Sequence, residues 1–371
     1  MKKWIALLLT LMMAAALIPG AMAEGTESSD REPPKVGMLS FLSMDEDNYI
    51  RLVQARSILA GMLEEQGYLV FNRPTPPEGQ EAPKDAPPEG QEAPKDAPPA
   101  EKQIGKVVYF DNLNEMVMGL QNGTVDMIEV YQSVAKYLAA HNPELEAMQE
   151  FDMDKEQTVF VKRMMNSKLG NSFSFLTRSD NQALADEFNR AINAMKEDGT
   201  LEKLVKEQID GAVEVEPEAV EIPEIAGSEK IKVAVTGSLP PMDYISADGK
   251  AAGFNTAVLA EISKRIGKNI EIVVLDGSMA RAMALSSEVV DVVFWTRTNG
   301  QLGQSIIPDG SGPKFLDQLT DEEKAAFKEL QKIAPVKDFL YVDIPEETIS
   351  TESYYTDVII PVSLKREPPA Q

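Results

Sequence analysis

The chain has 371 residues, a formal net charge of −24 and no cysteine. That length holds two or three compact domains with a sizeable core. The acidic balance argues against nucleic acid or an anionic membrane surface as a partner, and the missing thiols exclude disulfides, thiol catalysis, thiolate metal sites and a lipid-modified cysteine. The one histidine, His141 in AAHNPE, reads as a surface residue, so neither a metal centre nor a cofactor is expected.

Lys2 and Lys3 precede the apolar run WIALLLTLMMAAALIPG and then Ala21-Met22-Ala23. This is the form of a secretory signal peptide, residues 1–23, cleaved after Ala23, and it implies an exported protein without a lipobox cysteine. A membrane anchor is the competing reading; the run is short and closes on Pro19-Gly20, and no later stretch reaches the ~20 apolar residues of a spanning helix. Residues 24–34 read as a flexible leader.

KVGMLSF reads as a strand, followed by a helix from near Asp45 with Ile50, Val53, Ile58, Leu59 and Leu63 among its apolar positions. Ser43 and Glu46 have the spacing of a capping box, and YLVF is a second strand. PPEGQEAPKDA then occurs twice, at Pro76–Ala86 and Pro87–Ala97. Its proline content and lack of large aliphatic residues predict a disordered insertion, 74–103, in a surface loop. VVYF resumes the fold. A helix follows over Leu113, Met116, Val117 and Leu120, stopped by Asn122-Gly123, and VDMIEV is the next strand. SFSFLTR reads as a further strand, before a helix over Leu184, Phe188, Ile192 and Met195, a turn at Asp198-Gly199 and a closing helix.

The acidic, proline-containing stretch 210–229 reads as a linker. Beyond it, KVAVTG, IEIVVL and VDVVFW are short β-branched runs suited to strands buried on both faces of a parallel sheet. The helix FNTAVLAEISKRIG lies between the first two, and ligands of such units gather at the carboxyl ends of the strands. An insertion, 300–338, carries one helix with a Thr320/Glu323 capping box. STESYYTDVIIPVSLK closes the fold before a polar tail, 366–371.

The run VAVTGSLPPMDYISADGKAAGFNTAVLAEISKRIG, with the later VDVVFW, resembles the first lobe of family 3 extracellular solute-binding proteins, the receptors of amino-acid-type ABC importers. DNLNEMVMGLQNGTVDMIEV resembles that family's second lobe. SFSFLTRSDNQALADEFNRAINAMKEDGTLEKLVKEQI resembles its carboxyl-terminal signature, and STESYYTD its crossover strand. The resemblance implies an α/β, two-lobed periplasmic-binding-protein type II fold, each lobe a mostly parallel sheet flanked by helices. The lobes come in permuted order, with lobe-two material at 35–209 and lobe one at 230–365. A circular permutation accounts for this, with two partial domains as the rival architecture.

The implied function is an extracellular or periplasmic receptor that closes over a small polar solute and delivers it to an ABC permease in the membrane. A sensing or interaction module with a degenerate cleft is the alternative, and a periplasmic dehydratase-type enzyme a more distant one; no Gly-x-Ser-x-Gly elbow or thiol nucleophile supports catalysis.

The family's ligand positions fall here on Met242 (with Tyr244 nearby) after Pro-Pro, on Thr298, on Gln301 where an arginine is usual, and on Tyr131 where an acid is usual. GFDVDL has become GFNTAV, with Asn255 and Ala257 in place of acids. The scaffold signals survive while the charges that hold an α-amino acid are replaced. This predicts aromatic and neutral hydrogen-bonding contacts from Tyr131, Tyr244, Trp295, Thr298 and Asn255, with Arg297 as a displaced guanidinium. Trp295, Tyr131 and Tyr244 have core packing as their other reading. Ser40 and Ser43, near a helix start, read as helix caps or as an anion contact.

Overall fold

The computed structural model of the chain describes residues 34–40, 46–71, 106–156, 158, 160–161, 170–215, 218–298, 317–332 and 347–365. The signal segment, the proline repeat, Ser43, Gln301 and the tail lie outside them.

The amino-terminal half forms β1 (Val36–Leu39), α1 (Glu46–Glu65), β2 (Leu69–Phe71), β3 (Val107–Phe110), α2 (Leu113–Gln121), β4 (Met127–Tyr131), α3 (Gln132–His141), β5 (Leu145–Ala147), β6 (Gln149–Phe151), β7 (Gly170–Arg178), α4 (Gln182–Glu197) and α5 (Thr200–Val205). The carboxyl-terminal half forms β8 (Lys230–Val235), β9 (Ser238–Leu239), β10 (Asp243–Ile245), β11 (Ala251–Ala252), α6 (Phe254–Ile266), β12 (Asn269–Val274), α7 (Ser278–Ser286), β13 (Val292–Thr298), α8 (Asp321–Leu330), β14 (Thr348–Ser350) and β15 (Tyr355–Leu364).

The apolar runs do what their composition dictates. Every residue of β1 and β4 is buried, so these strands carry side chains into helices on both faces. One sheet runs in the order β12-β8-β13-β7-β15-β4-β1-β3, and off this path β14 pairs with β7 and β5 with β15. Within it, β12, β8 and β13 are parallel, and so are β3, β1 and β4. Each trio therefore has the spatial order second-first-third along the chain. Each is then bordered by an antiparallel strand from the opposite half of the sequence. β7 pairs with β13 through Trp295↔Ser174, and β15 pairs with β4 through Ile360↔Val130. β7 and β15 pair with each other, which joins the two trios.

Phe173 on β7 occupies that junction. Its ring lies 4.9 Å from Tyr131, 5.3 Å from Tyr355 and 5.5 Å from Phe294, all edge-on. Burying such a ring is worth about 1.5–3 kcal/mol, and each aromatic pair adds about 0.5–1.5 kcal/mol. A ring with three aromatic partners therefore sits where the two halves meet.

Local signals mostly act as read. Leu184, Phe188, Ile192 and Met195 are all buried on α4, and the Thr320/Glu323 capping box forms on α8. Two readings are refined. Glu46 Oε1 accepts from the Val107 amide at 3.3 Å, tying α1 to β3. The helix of the 300–338 insertion packs on α1, and Glu323 accepts from Thr158 Oγ1 at 3.2 Å. The acidic linker is also tethered. Val220 donates to Ala251 O at 3.0 Å, and Asn269 holds both the amide and the carbonyl of Ile225.

Candidate functional site

Three loops lie at the carboxyl ends of β8, β12 and β4. In the first, the Pro-Pro loop folds back on α6. Phe254 and Asn255 donate their amides to Pro241 O (3.0 Å) and Met242 O (2.7 Å). Backbone approaches this closely only because Gly253 has φ 94° and no side chain; a Cβ there would meet Pro241 O at 2.6 Å. The first free amides of α6 are thus taken by the chain's own carbonyls.

Asp243 lies beneath this loop, fully buried. Its Oδ1 accepts from Thr236 Oγ1 and from the Gly237 amide (2.8 Å), and its Oδ2 from Asn255 Nδ2 at 2.5 Å. Asn255 Oδ1 in turn accepts from the Tyr354 hydroxyl at 2.8 Å. Burial pushes the Asp243 carboxyl above its usual range, against the opposing pull of Thr236, Gly237, Asn255 and the Arg281 charge.

On the facing side, α3 begins directly after Tyr131. The Ser133 amide and hydroxyl donate to Asp357 Oδ2 at 3.1 and 2.6 Å, so a carboxylate from β15 caps α3. Burial is the leading effect on Asp357 too and raises its pKa. Ser133 Oγ lies 3.3 Å from Met242 Sδ, a contact between the Pro-Pro loop and the start of α3. Tyr131 accepts from Asn171 Nδ2 at 3.0 Å, and burial raises its phenol. Arg281, from α7, is 2% exposed; its Nη1 donates to Leu275 O (2.8 Å) and Asp276 O (2.6 Å).

The structure brings Met242, Asn255 and Tyr131 into one interior cluster, while Tyr244 is buried on β10. Asn255 serves as the bridge between Asp243 and Tyr354. The acid that GFNTAV lacks is supplied twelve residues earlier, by Asp243. Trp295 is packed among Leu176, Leu285 and Val293 under α7, the packing of a core residue. Arg297 and Thr298 end β13 opposite Ser172 and Asn171. Ser40, just past the carboxyl end of β1, donates its Oγ to Asp111 Oδ1 at 3.3 Å, and Ser43 is outside the described residues.

Sequence reasoning missed Asp243, Arg281, Ser133 and Asp357. Two carried a signal: Arg281 is the only basic residue between Lys268 and Arg297, and Asp357 the only charge in YYTDVIIPVSL. Among the described residues no group of His, Asp and Glu is placed to hold a metal ion, and no helix is long and apolar enough to cross a membrane.

Two helix-flanked parallel trios, joined by a pair of crossing strands and meeting at their carboxyl-end loops, make this a two-lobed α/β fold of the periplasmic-binding-protein type. Residues 231–300 match the sequence pattern of the bacterial extracellular solute-binding proteins, family 3. No curated protein matches the chain.

Among solved structures, it is similar to a phosphate-binding protein of a phosphate ABC transporter from Streptococcus pneumoniae TIGR4. Identity there is 11% and TM-score 0.32, with 90% of this chain and 89% of that one covered. It is also similar to the GluR0 ligand-binding core in complex with L-glutamate (8%, TM-score 0.33, 92% and 88% covered). A third likeness is to an ABC transporter periplasmic binding protein from Brucella ovis with glutathione bound (9%, TM-score 0.34, 90% and 63% covered).

Proposed function

We propose that the chain is an exported substrate-binding receptor of an ABC importer, directed outward by residues 1–23, that closes two lobes over a small polar solute and presents it to a membrane permease. The reading includes a circular permutation. Lobe two is built from 35–209, lobe one from 230–365, and 210–229 bridges the ends that the permutation joins.

The observation that carries it is the reciprocal strand exchange, in which β7 completes the β8 trio and β15 completes the β4 trio. Neither half covers its own sheet edge, and an uncovered edge is a liability. The crossing strands are also the natural hinge, because they pair with each other and with both trios. Binding rather than catalysis is the chemistry offered: a buried set of hydrogen-bonding groups with one guanidinium and two carboxyls.

Thermal melting of the exported chain against amino acids, small peptides, amines and sugars tests the reading, since a ligand of the native state alone raises the melting point. Saturable shifts by one class support it, and no shift across the screen removes it. Separate expression of 35–209 and 230–365 tests the architecture; two independently and cooperatively folding halves would overturn it.

A second reading, a sensing or interaction module with a degenerate cleft, is favoured by one observation. Met242, Asn255 and Tyr131 are already satisfied by contacts within the chain. A chain that melts unchanged with every solute yet binds a partner protein would support it.

A further inference from the structure

The buried Ser133 hydroxyl faces two acceptors with a single proton. Its Oγ stands 2.6 Å from Asp357 Oδ2 and 3.3 Å from Met242 Sδ, and an ionised carboxylate and a thioether can only accept. A proton on Asp357 resolves the conflict: the acid donates to Ser133 Oγ, and Ser133 turns its own proton to the sulfur. The other partners of the carboxyl suit that state, because the Val358 and Ser133 amides donate to Oδ1 (2.7 Å) and Oδ2 (3.1 Å).

The three residues come from different parts of the fold. Met242 is on the Pro-Pro loop of the β8 trio, and Ser133 opens α3 beside the β4 trio. Asp357 lies on β15 where that strand changes partners, opposite Asn171 of β7 and just before Ile359 meets Tyr131 of β4. Burial raises the Asp357 carboxyl, opposed by its bonds to Ser133 and Val358 and by the charge of Lys136 on α3. Lys136 is itself paired with Glu150 of β6 at 2.6 Å. Tyr131 from β4 and Tyr355 from β15 feel the Asp357 charge, and Asp154 and Asp210 act on Tyr355. Further along β4, Glu129 is held by Arg56, and α2 turns Leu113, Met116 and Leu120 inward. Asp243, next to Met242, is engaged with Gly237 and Asn255.

We infer that Asp357 is a proton-operated latch: protonated, it forms with Ser133 and Met242 a continuous hydrogen-bonded bridge from the crossing strand to the opposite lobe, and ionised, it takes the Ser133 proton back and leaves the sulfur without a donor. The proton comes from and returns to solvent. Because the folded pKa is raised, the bridge is complete at acid pH and is lost as pH rises through the folded value. The lobes then part more readily in neutral or alkaline solution than in acid. The inference rests on the two-lobed receptor reading above and adds what sets its grip.

The chain has no cysteine, so two spin labels can be placed alone, at Met118→Cys on α2 and Lys264→Cys on α6, both exposed. The distance between them is measured in the full chain without solute at pH 4, 6 and 8, in the parent, Asp357→Asn and Met242→Leu, with far-ultraviolet dichroism unchanged. In the parent the ratio of joined to parted molecules should fall about two- to tenfold from pH 4 to pH 8, the worth of one net hydrogen bond. Asp357→Asn cannot titrate, and Met242→Leu removes the sulfur at similar volume, so both should lose that dependence. If Asp357→Asn does not fold, Met242→Leu decides.

A parent ratio that is constant with pH overturns the inference. A dependence that survives Asp357→Asn also overturns it and moves the proton to another group, Asp243 first. One that survives Met242→Leu removes the bridge. None of these outcomes touches the receptor reading, which falls only with the solute screen.

Discussion

Asn255 offers the sharpest test of how the two halves are joined. It is fully buried, and each end of its amide serves one buried group: Nδ2 donates to Asp243 Oδ2 at 2.5 Å, and Oδ1 accepts from the Tyr354 hydroxyl at 2.8 Å. Leucine is similar in size, so Asn255→Leu leaves little cavity and the polar loss dominates. Each buried group left without its partner costs about 1–3 kcal/mol, giving about 2–6 kcal/mol in total. Tyr354→Phe removes one end alone, at about 1–2 kcal/mol.

In the double variant the Tyr354 hydroxyl is absent and cannot be orphaned, so its cost falls short of the sum of the two by about 1 kcal/mol. Equilibrium urea unfolding at neutral pH, followed by Trp295 fluorescence and by dichroism, reads all three values. A cost below about 1 kcal/mol for Asn255→Leu, or a strictly additive double variant, would refute the bridging role.

Three further outcomes follow from the geometry. Asp357 has its folded pKa raised by burial, so the native state holds its proton longer than the unfolded chain does. Its contribution is complete below about pH 4 and is lost as pH rises through the folded value. The stability of Asp357→Asn relative to the parent should therefore rise between pH 4 and pH 7 in urea titrations; an unchanged difference contradicts this. Glu129 accepts from both Arg56 Nη1 (2.9 Å) and Nη2 (3.0 Å) and from Tyr49 (3.0 Å) in the interior. Glu129→Leu alone should cost about 3–5 kcal/mol, and adding Arg56→Met should restore part of it, because the penalty comes from stranding a buried cation. Phe173→Ala should cost about 3–5 kcal/mol and move a single unfolding transition, whether read by Trp295 or by dichroism; two separated transitions would show that the trios unfold independently.

The strands and helices were legible because their cause is local. β8, β12 and β13 follow from uninterrupted β-branched runs, α4 from the spacing of Leu184, Phe188, Ile192 and Met195, and α8 from its Thr320/Glu323 box. Asn255 was legible as a departure from the family's acid but not as a bridge, since its two partners stand 12 and 99 residues away. Trp295 shows the same limit. Its place on a strand was readable, but which face it shows depends on α7 packing over it.

By itself the sequence determined the principal strands and helices, the turns at Gly123 and Gly199, and the likeness of residues 231–300 to a known lobe, because helix periods, strand runs and positive-φ glycines act within a few residues of themselves. Only the tertiary structure decided that β7 and β15 trade places between the halves, that Asp357 caps a helix more than two hundred residues earlier, and that Arg281 is buried against the carbonyls of Leu275 and Asp276. Those facts depend on burial. Whether a polar side chain is desolvated, and by whom it is met, is set by parts of the chain that sequence distance does not bring together.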